Sequence, residues 1–363
     1  MKTLTITLHD TDNCGSSLQS FALQKYLLDN GIDNEIIDYV PEYITNNGNK
    51  LKTLIRKIVF YRESKEREKK FKDFSNKFLK KTNHRFYNLN ELKDFNFNAD
   101  CFITGSDQLW NSMYGCGKDP AFYLNFVDGN KIAYAVSFGR EVIPEDNLNI
   151  MKNNSKGFKW ISVREKTSVA QIEKSFNGID VDYVCDPVLL NDAMVYDKIK
   201  TKRIIDDKYI LIYMAQIPNK EYMNIIIDKV KEKYDYKIVL IGSYRNRCNC
   251  DIQIRDVAPG EFLSLISNAE YIVSNSFHAT MFSLIYNKDF LSILPKSNGA
   301  RIKEILNLCG LNNNYLEEGC FIKELPPKIN YLFVNEKLEK FKNFSRLKLI
   351  EQLKGVSNEK ERK

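Results

Sequence analysis

Apolar residues recur at two spacings along this chain. Residues 3–8 alternate apolar and polar, the period of a strand, while residues 18–30 place Leu18, Phe21, Ala22, Tyr26 and Leu27 near helical spacing before Gly31. A second strand is predicted over 35–39, stopped by Pro41, and further short apolar strands over 100–104, 132–137, 160–164 and 183–185. Strands alternating with helical patterns predict a mainly parallel sheet. A polar, charged stretch follows at 191–207. Beyond it the alternation resumes, with strands at 209–214, 237–241, 271–275 and 290–294 and helices at 220–234, 260–268, 279–287 and 301–308. The pattern predicts an α/β chain of two Rossmann-like domains, at 1–195 and 207–330, with a basic helical tail at 331–363. Residues 52–81 break the pattern: they are charged, with Phe71, Phe74 and Phe78 three and four apart, which predicts a helical insertion in the first domain at about 50–95.

Composition narrows the class. A chain of 363 residues with 43% hydrophobic residues can bury two cores. No run of 18 apolar residues is present, and the first strand meets His9 and Asp10 too soon for a signal peptide, so the expectation is a cytoplasmic protein. Eight cysteines are scattered. Only Cys248 and Cys250 are close, and C-x-C with no second pair or neighbouring His predicts no metal site. The net charge of +7 concentrates at 50–85 and 337–363. Two readings fit it: solvated helix faces, or attraction to an anion, either a charged substrate or the inner membrane face carrying a lipid-linked one. No nucleic-acid motif accompanies the charge.

In an open parallel sheet, ligands bind beyond the carboxyl ends of strands, and five such segments carry polar chemistry. The first runs from His9 through Asn13, Gly15, Ser16 and Gln19, where free N–H groups at a helix start suit an anion and Asp or Ser equally suit a cap. The second is Gly105-Ser106-Asp107-Gln108-Leu109-Trp110-Asn111, which reads as a capped helix with a core Trp or as a sugar-binding rim. In the third, Ser162-Val163-Arg164-Glu165, the planar fork of Arg164 suits a carboxylate or phosphate, or else a salt bridge. The fourth, Ser274-Asn275-Ser276-Phe277-His278, sets one of only three His at a strand-to-helix junction, where it reads as a structural residue or a proton shuttle. The fifth is Pro295-Lys296, with Arg301 beyond it.

Taken in order, these segments resemble the polysaccharide pyruvyl transferase family. Its N-terminal signature is similar to residues 13–23 and to Ile37-Asp38-Tyr39, and its most recognisable block to Thr104-Gly105-Ser106-Asp107-Gln108-Leu109-Trp110-Asn111. Tyr134–Gly139, Ser162–Glu165, Asp186-Pro187-Val188-Leu189-Leu190, Ser276–Thr280 and Pro295-Lys296 follow in the family's order, so the resemblance covers about residues 3–310. It implies a GT-B-like fold with an interdomain cleft, phosphoenolpyruvate as donor, a sugar or lipid-linked saccharide of the cell envelope as acceptor, and no cofactor beyond the donor. By match to the family's motif positions, His278 would be catalytic together with Arg164, and Arg164, Lys296, Arg301 and Ser276 would bind the donor, with the second domain as the donor side. Asn13, Gly15, Ser16, Gln19, Ser106, Asp107, Gln108 and Trp110 would line the acceptor side. Several members carry Arg-x-His at the catalytic His; here that Arg position is Ser276, and Arg301 or a basic residue of 50–85 would substitute. Cys14 and Ala279 also depart from the commoner aromatic and Gly. Two other readings share the fold: a GT-B glycosyltransferase using a nucleotide sugar, and a non-catalytic carbohydrate-binding descendant.

Overall fold

The computed structural model describes residues 1–45, 60–176, 178–216, 219–242, 248–296 and 298–361. The chain forms two compact units, one of Met1–Gly48, Asp73–Asn191 and Glu339–Lys363, the other of Asn49–Lys72 and Asp192–Leu338. Residues up to Lys72 of the insertion therefore go with the second unit, and residues 46–59 lie outside the described residues. The tail's helix, Tyr331–Glu361, is shared between the units.

The first unit is a seven-stranded sheet of β1 (Lys2–Ile6), β2 (Asp33–Tyr39), β3 (Lys81–Phe86), β4 (Cys101–Thr104), β5 (Lys131–Val136), β6 (Phe158–Val163) and β7 (Val181–Tyr183). Their order is β3-β2-β1-β4-β5-β6-β7, all parallel. The second unit repeats the plan with β8 (Tyr209–Tyr213), β9 (Lys237–Ile241), β10 (Ile252–Ile254), β11 (Tyr271–Ser274), β12 (Asp289–Leu294) and β13 (Tyr315–Glu317), ordered β10-β9-β8-β11-β12-β13. Both are doubly wound sheets whose strand order reverses beside the first strand, between β1 and β4 and between β8 and β11. The central strands are covered on both faces, so they read as nearly unbroken apolar runs: β4 and β5 are buried along their whole length. The three strands that the apolar pattern does not predict, β3, β10 and β13, are edge strands. β3, Lys-Thr-Asn-His-Arg-Phe, is mostly polar because one side of an edge strand stays in water.

Local signals set the helix bounds. Asn13 Oδ1 accepts from the N–H groups of Gly15 (2.9 Å) and Ser16 (3.3 Å), so the first helix, Cys14–Asp29, begins earlier than the apolar spacing from Leu18 predicts. Phe74 and Phe78 of the helix Tyr61–Phe78 pack edge-on against Phe21, at 6.3 and 6.2 Å between ring centres, which explains the aromatic spacing of the insertion. Cys101 in β4 and Cys185 just after β7 are buried thiols, pushed up to about 12 and about 11 by that burial, and behave as small apolar residues.

Trp110 belongs to the core of the first unit. It is fully buried, stacks on Tyr123 at 5.0 Å, meets Phe138 and Phe158 edge-on, and donates its indole N–H to the Phe122 carbonyl (3.0 Å). The expectation that it forms a sugar-binding rim is therefore corrected, because no part of the ring reaches solvent. Trp110→Ala should cost about 3–5 kcal/mol of stability, read as a lower denaturation midpoint. A midpoint equal to wild type would remove Trp110 from the core.

A cluster of polar contacts closes the end of β2. His9 contacts the Thr7 carbonyl through Nδ1 (3.1 Å) and Asp38 through Nε2 (2.9 Å), while Arg85 reaches Asp38 (3.0 Å) and Asp10 (2.8 Å). Burial alone would raise the Asp38 carboxyl, but hydrogen bonding and charge from His9, then from Arg85, outweigh it and hold the group at about 2. A carboxyl depressed in the folded state stabilises above its unfolded value and loses that contribution as pH falls through the folded one. Stability should therefore drop as pH falls from about 4 to about 2, and less steeply in Asp38→Asn. Parallel profiles for the two proteins, measured by chemical denaturation, would contradict this.

Candidate functional site

At the reversal point of the first unit, the loops after β1 and β4 are stitched together. Gly105 follows β4 directly, and a Cβ there would lie 2.9 Å from Thr7 Cβ, so only Gly allows the two loops to approach this closely. The Thr7 hydroxyl donates to the Ser106 carbonyl (3.3 Å), and Gln19 Nε2 donates to Thr7 Oγ1 (2.8 Å) and to the Ser16 carbonyl (3.1 Å). Gln19 is fully buried and fastens the loop to the helix. Ser106 is equally buried, and its hydroxyl donates to the Ala135 carbonyl (2.7 Å).

Asp107 is the pivot. Its φ is +82°, a left-handed conformation that Asp tolerates better than most residues. Oδ2 accepts from the Ser16 hydroxyl (2.5 Å), and Oδ1 accepts from the Gln108 N–H (2.8 Å) and from Arg164 Nη2 (3.1 Å). Arg164 stands at the carboxyl end of β6, almost wholly buried, with Nη1 bound to Asp186 Oδ2. Burial works against its charge, but Asp186, Asp107 and Glu165 outweigh it and raise its pKa, so the guanidinium stays ionised. The fork expected to face a donor anion is closed on two carboxylates of its own unit. Glu165 accepts from the Ser137 hydroxyl.

Around Asp107 lies an open pocket of about 400 Å3, lined by Leu8, residues 11–13, Ser16, Tyr43, Asp107, Gln108 and residues 114–116. Of the expected acceptor residues, Asn13, Ser16, Asp107 and Gln108 come together on this wall. Gly15, Gln19, Ser106 and Trp110 do not line it: Gly15 is buried in the first helical turn, and the other three brace the wall from behind. Gln108 is held by Asn111 Nδ2 (2.7 Å). The apolar pattern gives no role to Tyr43, Tyr114 or Cys116, which complete the lining. Their signal is positional, since Tyr43 follows the carboxyl end of β2 and Tyr114 leads into the Gly115-Cys116-Gly117 turn.

The second unit repeats the stitching. At the end of β11 the Ser274 hydroxyl donates to the Tyr213 carbonyl (2.5 Å), and Asn275 pairs with the Gln216 backbone, Nδ2 to its carbonyl (2.8 Å) and Oδ1 from its N–H (3.2 Å). The Ser276 side chain caps the helix Phe277–Ile285 by accepting from the Ala279 N–H (3.4 Å). His278 lies in that helix's first turn, 8% exposed, its ring 5.4 Å from Phe277. The Arg301 guanidinium sits over the other neighbour of this cluster, the Phe277 ring, at 5.0 Å. Ser276, His278 and Arg301 thus converge beyond β11 and β12, while Lys296 is exposed on the loop leaving β12. Among the described residues no group of three His, Cys, Asp or Glu is placed to hold a metal ion, and no helix is long and apolar enough to cross a membrane.

No curated protein matches the chain. Among solved structures, the UDP-GlcNAc 2-epimerase of Neisseria meningitidis bound to UDP-GlcNAc is similar at 15% identity, with 97% of this chain and 99% of that one covered and a TM-score of 0.56. The UDP-GlcNAc 2-epimerase of Methanocaldococcus jannaschii is similar at 14% identity, with 94% and 93% covered and a TM-score of 0.51. At such identities the likeness concerns the fold alone, which is the GT-B arrangement of two Rossmann-like units. The polysaccharide pyruvyl transferase profile matches residues 13–297, from the helix cap at Asn13 through Lys296, so the chain belongs to the polysaccharide pyruvyl transferase family and is a transferase.

Proposed function

We propose that the protein moves pyruvate from phosphoenolpyruvate to a sugar of a cell-surface polysaccharide or its lipid-linked precursor, forming a pyruvate ketal. The observation that carries this reading is the contrast in chemistry between the two reversal points. In the first unit the described pocket lining offers hydroxyl, amide and carboxylate groups, which suit the hydroxyls of a sugar. In the second, His278, Arg301 and Lys296 follow consecutive strand ends, which suits a small trianion. The work would be done in the cytoplasm, with the basic helices offering peripheral contact to the membrane face that carries a lipid-linked acceptor.

The reaction balances without an oxidant. C3 of the donor gains a proton, leaving C2 electrophilic. One sugar hydroxyl forms a C–O bond to C2 and loses its proton. A second hydroxyl does the same as the C2–O bond to phosphate breaks, and hydrogen phosphate carries away the remaining proton. We assign proton transfer to His278, charge stabilisation to Arg301 and Lys296, and alignment of the sugar to Asn13, Ser16, Asp107 and Gln108. Ser276 stands where several members of the family carry Arg, and here it caps the helix that carries His278.

His278→Gln keeps size and some hydrogen bonding. Turnover, followed as phosphate released from phosphoenolpyruvate with a saccharide acceptor, should fall roughly a hundredfold or more while the melting temperature changes little. Native turnover in the folded variant would remove His278 from the chemistry.

Arg164 enters this mechanism as the brace of Asp107. Arg164→Lys keeps the charge but cannot span Asp107 and Asp186 together. It should lower stability and raise KM for the acceptor, leaving KM for phosphoenolpyruvate near its native value. A rise confined to KM for phosphoenolpyruvate would instead put the fork on the donor.

A further inference from the structure

The open edge of the second unit's sheet carries a knob and a hole side by side. β13 ends the strand order and, among the described residues, pairs only with β12. An irregular strap, residues 318–328, follows it. The strap is tied at both ends of β12: the Glu318 N–H donates to the Leu294 carbonyl (3.2 Å), and the Ile329 N–H donates to Asp289 Oδ1 (2.9 Å). Between these ties Lys233 Nζ reaches the Pro326 carbonyl (3.5 Å), and Ile322 is buried in the unit's core. Phe321, next to Ile322, is nevertheless 78% exposed. It borders an open groove of about 570 Å3, walled by Leu291 of β12, Tyr315 and Leu316 of β13, and Leu325 and Pro326 of the strap. Lys323 and Glu324, both exposed, lie on the same lining. A fastened backbone thus holds an aromatic ring in water beside an apolar groove, and the ring forgoes the burial it would gain against a partner.

We infer that this edge is the contact surface between two copies of the chain, related by a two-fold axis that passes between Lys323 and Glu324. A two-fold contact uses the same patch twice, so each feature must find its complement within that patch. Here each does. Antiparallel straps about such an axis set Lys323 of each copy against Glu324 of the other. They also set Phe321 of each copy against Leu325 and Pro326 of the other, in its groove. The ring gains an apolar wall, and the open edge of β13 is covered. The charges argue for a second copy over a membrane. An anionic bilayer attracts a surface of one sign, whereas here a cation and an anion stand side by side. The inference concerns assembly, and it holds whichever donor the enzyme uses.

The test is sedimentation equilibrium of the whole 363-residue chain from about 1 to about 100 μM at physiological salt. The mass should exceed that of one chain, 42.3 kDa, and approach twice that value at the highest concentration. Phe321→Ser removes a side chain that enters the contact twice, and should weaken association by roughly a hundredfold or more. Lys323→Glu and Glu324→Lys each set like charges against each other and should each weaken it by roughly tenfold. The double variant Lys323→Glu/Glu324→Lys restores opposite charges and should return to within about threefold of wild type. All three positions are exposed, so melting temperatures of the dilute proteins should match wild type. A single-chain mass at every concentration, association untouched by Phe321→Ser, or a double variant as weak as the single ones would overturn the inference. So would a monomeric chain that sediments with vesicles of phosphatidylglycerol and phosphatidylcholine through Phe321, which would make the patch a membrane contact.

Discussion

The first unit is organised around one buried guanidinium. Arg164 binds Asp107 through one nitrogen and Asp186 through the other, and so ties the segments following β4, β6 and β7 into one rim. A buried charge of this kind is costly to leave unpaired, which makes the geometry of its partners strict. Asp107 can hold its left-handed backbone because its carboxylate is claimed from three sides, by Arg164, the Gln108 N–H and the Ser16 hydroxyl. The pocket wall is thus set by electrostatics behind it, in a layer no sugar would touch.

The second unit joins the corresponding strand ends through side-chain hydrogen bonds. Neutral hydrogen bonds from Ser274 and Asn275 join the ends of β11 and β8, and a Ser cap starts the helix that carries His278. In the first unit the guanidinium is held by two carboxylates, whereas the loops beyond β11 and β12 carry the basic side chains of His278, Lys296 and Arg301. The family match establishes a transferase.

Much of the architecture was legible in the chain. The central strands are apolar along their length because both faces are covered, and a helix with one buried face announces itself by its period. Three of the four edge strands were not legible. β3 is mostly polar, and β10 and β13 are three residues each, too short for a period to show. The helix start at Cys14 was misplaced because its signal is a single capping amide, Asn13, and not an apolar stripe.

The candidate site divides along the same physical line. The sequence by itself determined which segments follow strand ends, and hence that Asn13, Ser16, Asp107 and Gln108, and separately Ser276, His278 and Arg301, would lie beyond the carboxyl ends of parallel strands. Motif order also determined the family. Burial was decided only by tertiary structure. Trp110 turned into the core because its indole N–H found a carbonyl there, Arg164 closed on two carboxylates because β4, β6 and β7 end side by side, and Tyr43 came to the pocket because Asp119, far along the chain, accepts its hydroxyl. Local spacing cannot encode such outcomes, since each depends on a partner that only folding brings within hydrogen-bond reach.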